Sequence, residues 1–533
     1  MSSAQKLLKR FATAEAKLGN FKSTYQEAFK YFSPNRDTFD KQGTEGDKRN
    51  TGGGVIFDST GQDSLRKAVS NLQSSVFPPQ KKFAALRLGQ RLLRQDKAKV
   101  EEAQKVLDVI SDIFFGALFA SNFDTQISEV LEDLLIGTGS MLMQKGTQTN
   151  PFIFSAVPMS EIFLERGADG AIKAHFRKWD LEAGLITETW ADAKLTDELN
   201  QKVNSENPQE KVQIIECTVK AKIEIEVIEG DTRVKKQVDG YEYYVLYKTD
   251  ILLERKMQSS PWITMRYGLS AGEVYGRGPV LDALPDCKTL NKTKELILKN
   301  GALAISGVWT VVDDGVVSMD NIKIQPGATI PVSSNPGNPN GPSLAPLPIG
   351  ANFNIGQIII EDLKKSIRSI MMVDPLGEID APVKSATEIS YRAQQTSKLL
   401  GSAYGRMQIE GVKAIINRGL HILEELALIE NIDQLRVDGV NLAIEHESPL
   451  ARAQSEEEIN AMVRYAETIS GFYGPQMLAM MTNPIMFAKL LAEKMNVPKD
   501  ILPTIEQLQQ TLQAAQAEQA AGQPPAPPQP QLA

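Results

Sequence analysis

VLDALPDCKTLNKTKELILKNGAL (Val280–Leu303) and FNIGQIIIEDLKKSIRSIMM (Phe353–Met372) are the two stretches whose reading decides the fold. In the first, Leu284, Cys287, Leu290 and Ile297 recur at helical spacing along one side, while Lys288, Lys292, Glu295 and Lys299 form a polar stripe on another. In the second, Ile355, Ile359, Leu363, Ile367 and Met371 stand four apart, opposed by Gln357, Glu361, Lys364, Lys365 and Arg368. Two amphipathic helices of matching polarity are expected, each burying one face. Between them, 304–352 alternates as short strands with an Asp313-Asp314-Gly315 turn and a Pro/Gly-rich loop from Asn335 to Pro348. The pattern is helix, small β insert, helix.

Outward from this pair, residues 373–385 form a loop carrying Pro375, Gly377 and Pro382. A long helix is expected from Ala386 to about Ile429, with Gly401, Gly405 and Gly411 as places for a bend or close packing. Further helix is expected over Ser455–Ala517, and the Pro- and Gln-rich end, 518–533, reads as disordered. On the other side, helices are expected over Gln5–Phe32, from about Asp58 to Val76, over Leu92–Phe119 and over Asp124–Ile136. Residues 140–266 switch to period two in Gln213–Cys217, Lys222–Ile228 and Glu242–Tyr247, with a hairpin at Glu229-Gly230-Asp231 and an interrupting helix over Asp180–Lys202. The fold class is α+β, mainly helical.

The chain has 533 residues and a net charge of −8. That balance opposes a protein that coats DNA with a basic face, because tight phosphate binding needs clustered Lys and Arg. Cys217 and Cys287 make no disulfide framework and no zinc knuckle. The charged start lacks a signal-peptide core, and the longest apolar run, Ile113–Ala120, is too short to span a bilayer. A soluble, intracellularly folded protein is expected.

Chemistry-bearing motifs are sparse. His175, His421 and His446 are scattered and lack the i, i+4 spacing of a helical metal site. Glu445-His446-Glu447 reads as a solvated loop rather than a cation site. Gly52-Gly53-Gly54 and Gly137-Thr138-Gly139-Ser140 lack the Lys-Ser/Thr that a phosphate loop requires. Gly276-Arg277-Gly278-Pro279 admits an anion at the next helix start, but a rigid turn is the better reading. No catalytic residue, metal ligand or cofactor site is expected.

Several segments in order carry a resemblance. Phe32-Ser33-Pro34, Phe77-Pro78-Pro79, Gly272-Glu273-Val274-Tyr275-Gly276-Arg277-Gly278-Pro279 with Leu290-Asn291, Ser385-Ala386-Thr387-Glu388-Ile389 with Arg392, Leu400-Gly401 with Gly405-Arg406-Met407-Gln408-Ile409-Glu410, and Ser448-Pro449-Leu450-Ala451-Arg452-Ala453-Gln454 together resemble the head-to-tail connector (portal) proteins of short-tailed bacteriophages. The motif positions are Tyr275, Gly276, Arg277, Gly278, Pro279, Thr387, Glu388, Arg392 and Arg406. The chain departs from that pattern at Ala84, where a second aromatic beside Phe83 is expected, and in its proline-rich insert.

The resemblance implies a structural, non-enzymatic subunit of a dodecameric ring at one capsid vertex, through which double-stranded DNA passes. It implies a wing (1–279), stem helices (280–303 and 353–372), a clip (304–352), a tunnel loop (373–385), a wing helix with return segment (386–454) and a crown (455–517). It implies a virion location after assembly in the host cytoplasm. The implied partners are further copies of the chain, major capsid and scaffolding proteins, terminase, then tail adaptor and internal core proteins, with no membrane. Candidate DNA-channel residues are Lys288, Lys292, Lys299, Lys364, Lys365, Arg368 and Lys384, which centre the duplex by transient phosphate contacts. The alternative for each is pairing with Glu295, Glu361 and neighbours between subunits. Another virion neck or tail adaptor ring, and more remotely a DNA-processing enzyme, are the competing functions.

Overall fold

The computed structural model describes residues 3–36, 39, 56–89, 97–205, 207–229, 232–306, 309–311, 344–346, 353–373, 401, 403–429, 442–446 and 449–474, with 482, 487–488 and 490–492. The chain divides into two compact units, 1–449 and 450–533.

In the first unit, α1 (Ser3–Phe32) buries Leu7, Phe11, Leu18, Tyr25 and Phe29, the stripe expected from their spacing. Helix α2 (Thr60–Val76) ends where Phe77 precedes two prolines. Strand β1 (Ala84–Leu88) follows, then α3 (Lys97–Ala120) and α4 (Phe123–Ile136). Among the described residues no single helix is long and apolar enough to cross a membrane; α3 and α4 reach that composition only as a pair bent by 78°. Phe77, Phe83, Phe114, Phe115 and Phe123 stack edge-on through this region and fill the space between the helices.

Two antiparallel sheets come next. Strands β2 (Thr138–Lys145), β3 (Phe152–Val157) and β9 (Trp262–Arg266) form one, in the order β3-β2-β9. The other is a meander of β4 (Ile162–Arg166), β5 (Ile172–Glu182), β6 (Lys211–Glu229), β7 (Thr232–Tyr247) and β8 (Asp250–Met257). The hairpin expected near Glu229 is present, with Glu229 opposite Thr232. The two strands expected at 213–217 and 222–228 are one continuous strand.

The helix expected over Asp180–Lys202 is not formed. Strand β5 runs to Glu182, paired with β6, and only α5 (Leu185–Thr189) and α6 (Asp197–Val203) are helical. The long partner strand wins over local helical pattern here, because Leu181, Ile186, Trp190 and Leu199 close one core with Ile214 and Val245 of the sheet. Helix α6 starts at Thr196, whose hydroxyl accepts a hydrogen bond from Leu199 N at 3.4 Å.

Helix α7 (Pro279–Ser306) and α8 (Phe353–Ile370) pack against each other, and β10 (Trp309–Val311) pairs antiparallel with β11 (Leu344–Pro346) between them in sequence. The helix–strand–strand–helix order matches the expected plan, although the turn at 313–315 and the loop at 335–348 lie outside the described residues, apart from β11. The helix that resumes at 403 contains a π turn (Gln408–Val412) and continues as α9 (Lys413–Glu425).

Strand β12 (Leu442–His446) pairs with β1, His446 opposite Ala84 and Glu445 opposite Ala85. This corrects the expected solvated loop at 445–446: backbone pairing to a distant strand overrides the polar side chains. Helix α10 spans Pro449–Tyr473, and Phe472 near its end is exposed.

Candidate functional site

The helix pair α7–α8 carries most of the residues expected to contact DNA. Its inner face is apolar, as the spacing predicts: Leu284, Cys287 and Leu290 of α7 are buried, as are Ile367 and Met371 of α8, and Ile297 meets Gly356. Burial raises the Cys287 thiol to about 12. Ile359 is the exception to the expected stripe, at 44% exposure.

A third segment, ahead of α2, locks the two helices. Asp58, with its side chain 3% exposed, accepts a hydrogen bond from Lys294 Nζ of α7 at 2.8 Å and lies 3.7 Å from Lys364 Nζ of α8. Phe57 N donates to Asn291 Oδ1 at 2.6 Å. Burial pushes the Asp58 carboxyl up, but hydrogen bonds from Lys294 and from Thr60 outweigh it and hold the group below its ordinary value. Ser366 of α8 adds a 2.6 Å hydrogen bond to Asp286 of α7.

The candidate channel cations are distributed unevenly around this pair. Lys288 Nζ is 3.0 Å from Glu27 of α1. Lys292 and Lys299 share the Glu295 carboxylate, at 3.0 and 2.6 Å. Lys364 faces Asp58, Lys365 is exposed, and Arg368 is half-buried with an interaction of its own. The structure thus brings Lys292 and Lys299 together, and sets Lys288 and Lys364 apart at separate carboxylates. Lys384, the loop residues Pro375, Gly377 and Pro382, and Thr387, Glu388 and Arg392 lie outside the described residues.

The motif Tyr275–Pro279 sits where α7 begins, and the backbone N–H groups of Gly276, Arg277 and Gly278 are all partnered. Tyr275 Oη accepts from Leu164 N at 3.1 Å and donates to Ile162 O at 3.4 Å. Tyr25 Oη of α1 donates to Gly276 O at 2.6 Å, and Gly276 N donates to Thr138 Oγ1 at 2.9 Å. Gly268 and Arg277 exchange both backbone hydrogen bonds, and Gly278 N donates to Ile136 O at 3.0 Å. A Cβ on Gly278 would overlap Leu135 O, and one on Gly276 would overlap Gly137 O, so backbones touch where only glycine fits. With these N–H groups consumed, the segment is a rigid turn that fixes the origin of α7, not an anion cradle. Arg277 pairs with Glu273 at 2.7 Å beside a cleft of about 630 Å³ that Lys17, Phe21, Arg166 and Leu281 also line.

Sequence reading missed Arg266. Its side chain is 4% exposed and its guanidinium binds both oxygens of Glu410 in the π turn, while Arg266 N donates to Glu410 Oε2 at 3.0 Å. Arg266 Nη1 also donates to Val274 O at 3.2 Å, next to the motif. One buried cation therefore ties β9, the approach to α7 and the helix after α8. The π turn places Gly411 against Met265, whereas a Cβ added at Gly401 or Gly405 would meet nothing within 4 Å among the described residues. Arg406 is half-buried, and its Nη1 has no hydrogen-bond partner among the described residues. The nearest sequence signal was Glu410 itself, the acid of the quoted motif.

His175 is buried, stacks on Trp262 at 5.8 Å between ring centres, and is pushed down to about 3 by burial and by Arg266. Among the described residues no group of three or more metal-ligating side chains converges.

Comparison with known proteins supplies the assignment. Residues 4–502 match the family model described as bacteriophage head to tail connecting protein. The probable portal protein of Bordetella phage BPP-1 is 21% identical over 473 residues, covering 88% of this chain and 83% of that one. The portal protein of Escherichia phage T7 is 20% identical over 395 residues, covering 73% and 69%. That of Enterobacteria phage T3 is 19% identical over 406 residues, covering 75% and 71%. Among solved structures, the neck of an empty gene transfer agent particle aligns with 77% of this chain and 87% of its own, at 11% identity and a TM-score of 0.36, too low to identify a fold. With a buried turn that fixes α7, a helix pair flanking two short paired strands, and a family match over nearly the whole length, the chain belongs to the bacteriophage head-to-tail connecting proteins and is a portal-type connector.

Proposed function

We propose that this connector works as a dodecameric ring at one capsid vertex, a channel for double-stranded DNA entering during packaging and leaving during ejection. The ring first docks the packaging terminase and later the tail adaptor, and it meets capsid, scaffolding and internal core proteins around its rim. It acts as a structural part, not a catalyst. The observation that carries this reading is the family match along residues 4–502, with relatives named portal proteins. The regions follow the chain: a wing from 1–279, stem helices at 280–303 and 353–372, a clip at 304–352, a tunnel loop at 373–385, a wing helix and return at 386–454, and a crown at 455–517.

DNA has to slide through such a ring, so the lumen gains from weak, reversible contacts. The acidic chain, at −8, supports that by repelling phosphates generally. A few lysines and arginines of the stem and loop, among them Lys365, Arg368 and Lys384, then centre the duplex without holding it. Negative-stain imaging and mass photometry of the purified full chain test the reading. Rings with a central hole and a mass near twelve copies are expected; a monomer at high concentration would falsify it.

A further inference from the structure

Between one side of α1 and the approach to α7 runs a trough of about 630 Å³. Its near wall is Lys17, Asn20, Phe21 and Thr24, which stand three and four residues apart and so share one side of α1 over about 10 Å. Its far wall is two loops, 166–170 and 272–274, in which Gly170 and Gly272 take φ of 82° and 91°. Buried Arg266 braces both loops from behind, donating to Gly170 O at 3.4 Å and to Val274 O at 3.2 Å. The trough is therefore shaped before anything enters it. Two of its cations lack an acid. Among the described residues neither Lys17 nor Arg166 makes an ion pair or a side-chain hydrogen bond, and Arg166, lying over Gly170, holds its Nε away from water without an acceptor. Asn20 and Thr24 likewise make no side-chain hydrogen bond among those residues. The acids nearby are engaged or set apart. Glu273 is held by Arg277 at 2.7 and 2.9 Å, Asp169 Oδ1 accepts from Ala171 N at 3.1 Å, and Asp282 stands in the first turn of α7.

Charge balance and size decide what fits. Lys17, Arg166 and Arg277 are opposed by Glu273, Asp169 and Asp282, so the trough with its rim is close to neutral. A polyphosphate or a nucleic-acid strand needs several unopposed cations and would meet carboxylates here. A lone inorganic anion would satisfy Arg166 but leave most of the volume unfilled. Phe21, stacked on Tyr25 at 5.7 Å between ring centres, is fixed as an apolar wall in the middle of the trough. An extended peptide advances about 3.3 Å per residue, so about three residues span the two turns from Lys17 to Thr24. We infer that this trough takes a short acidic peptide segment of another protein, with its carboxylate between Arg166 and Lys17. An apolar neighbour of the acid covers Phe21, and the peptide backbone reaches the Asn20 amide and the Thr24 hydroxyl. The carboxylate supplies the acceptor that Arg166 lacks, in a half-buried place where such a charge-assisted bond is stronger than at open surface. This docking site lies apart from the channel reading and does not depend on how many copies form a ring.

Fluorescence anisotropy of the full-length chain with a labelled peptide, Gly-Glu-Phe-Glu-Gly, tests the assignment at physiological salt. Saturable binding is expected. Arg166→Gln and Lys17→Gln should each weaken it about tenfold, the loss of one charge-assisted hydrogen bond. Their melting temperatures should match the wild type, since neither side chain has a partner to lose in the free protein. Lys22→Gln removes the same charge from another side of α1 and should leave binding unchanged. The peptide with glutamine in place of both acids should bind at least about tenfold more weakly. Inorganic phosphate and a short thymidine oligonucleotide, each at the peptide's own concentration, should not displace it. No binding of the acidic peptide, equal binding of its glutamine form, or undiminished binding by Arg166→Gln and Lys17→Gln overturns the inference. Displacement by phosphate or by the oligonucleotide overturns it in favour of a phosphate site. Ring formation is read separately by mass photometry, so none of these outcomes bears on the channel reading.

Discussion

Gly278 shows how much of this site rests on single backbone approaches. Its N–H donates to Ile136 O, and its missing side chain leaves room for Leu135 O. Gly278→Ala should therefore force apart the end of α4 and the start of α7, at a cost on the order of 3 kcal/mol. Gly19, exposed in the interior of α1, has nothing within 4 Å of the same hypothetical atom. Gly19→Ala should stabilise by about 0.5–1 kcal/mol through helix propensity. Urea unfolding of the two variants beside the wild type measures both; equal midpoints would mean that the close approach at Gly278 is relaxed at little cost. Tyr275, Gly276, Gly278 and Pro279 thus stand out in the sequence for a reason of packing, not of ligand binding.

At the scale of elements, the joint between Arg266 and Glu410 is a long-range tie between β9 and the π turn at 408–412. Arg266 leaves β9 and holds the π turn that follows the loop region, and the same guanidinium binds the carbonyl of Val274 before α7. Arg266 is buried and Glu410 is 17% exposed, so removing the arginine leaves a carboxylate only partly reached by water without its cation. Arg266→Ala should cost about 3 kcal/mol in chemical denaturation. Arg266→Ala with Glu410→Ala should recover part of that loss, since no bare carboxylate then remains. An additive double variant would mean that the two groups act independently. The Asp58 clasp works similarly at smaller scale, joining α7 and α8 through Lys294 and Lys364. Because the Asp58 carboxyl is held below its ordinary value, its contribution is present at neutral pH and fades as pH falls through that lowered value.

For the whole molecule, the proposed passage of DNA asks for a ring with few sticky contacts and at least one that retains the packaged genome. The Pro- and Gly-bearing loop after α8 is the expected place for the latter. Removing residues 376–383 while ring assembly is kept should allow packaged DNA to leak, read as nuclease-sensitive genomes in filled particles. Fully protected DNA in rings that lack those residues would show that retention lies elsewhere.

The sequence by itself determined the order of helix, β insert and helix, the inner faces of α1, α7 and α8, the hairpin near 229 and the absence of familiar catalytic motifs. These are legible because helical and strand periodicities are local, and because burying an apolar stripe leaves a repeat in the chain. The ordered segments from Phe32-Ser33-Pro34 to the Ser448–Gln454 run also pointed to the connector family, which the match over residues 4–502 shows. Only the tertiary structure decided the rest. Residues 180–182 join a strand because β6 offers them a ladder, and 442–446 pair with β1 from more than three hundred residues away. Asp58, Thr138, Tyr25 and Arg266 gain their roles from partners distant in the chain, and no spacing in the sequence records a contact made across such a separation. The helix pair α7–α8 is the same case: its amphipathic faces were plain in the sequence, whereas the clasp at Asp58 appears only once the segment ahead of α2, α7 and α8 are set side by side.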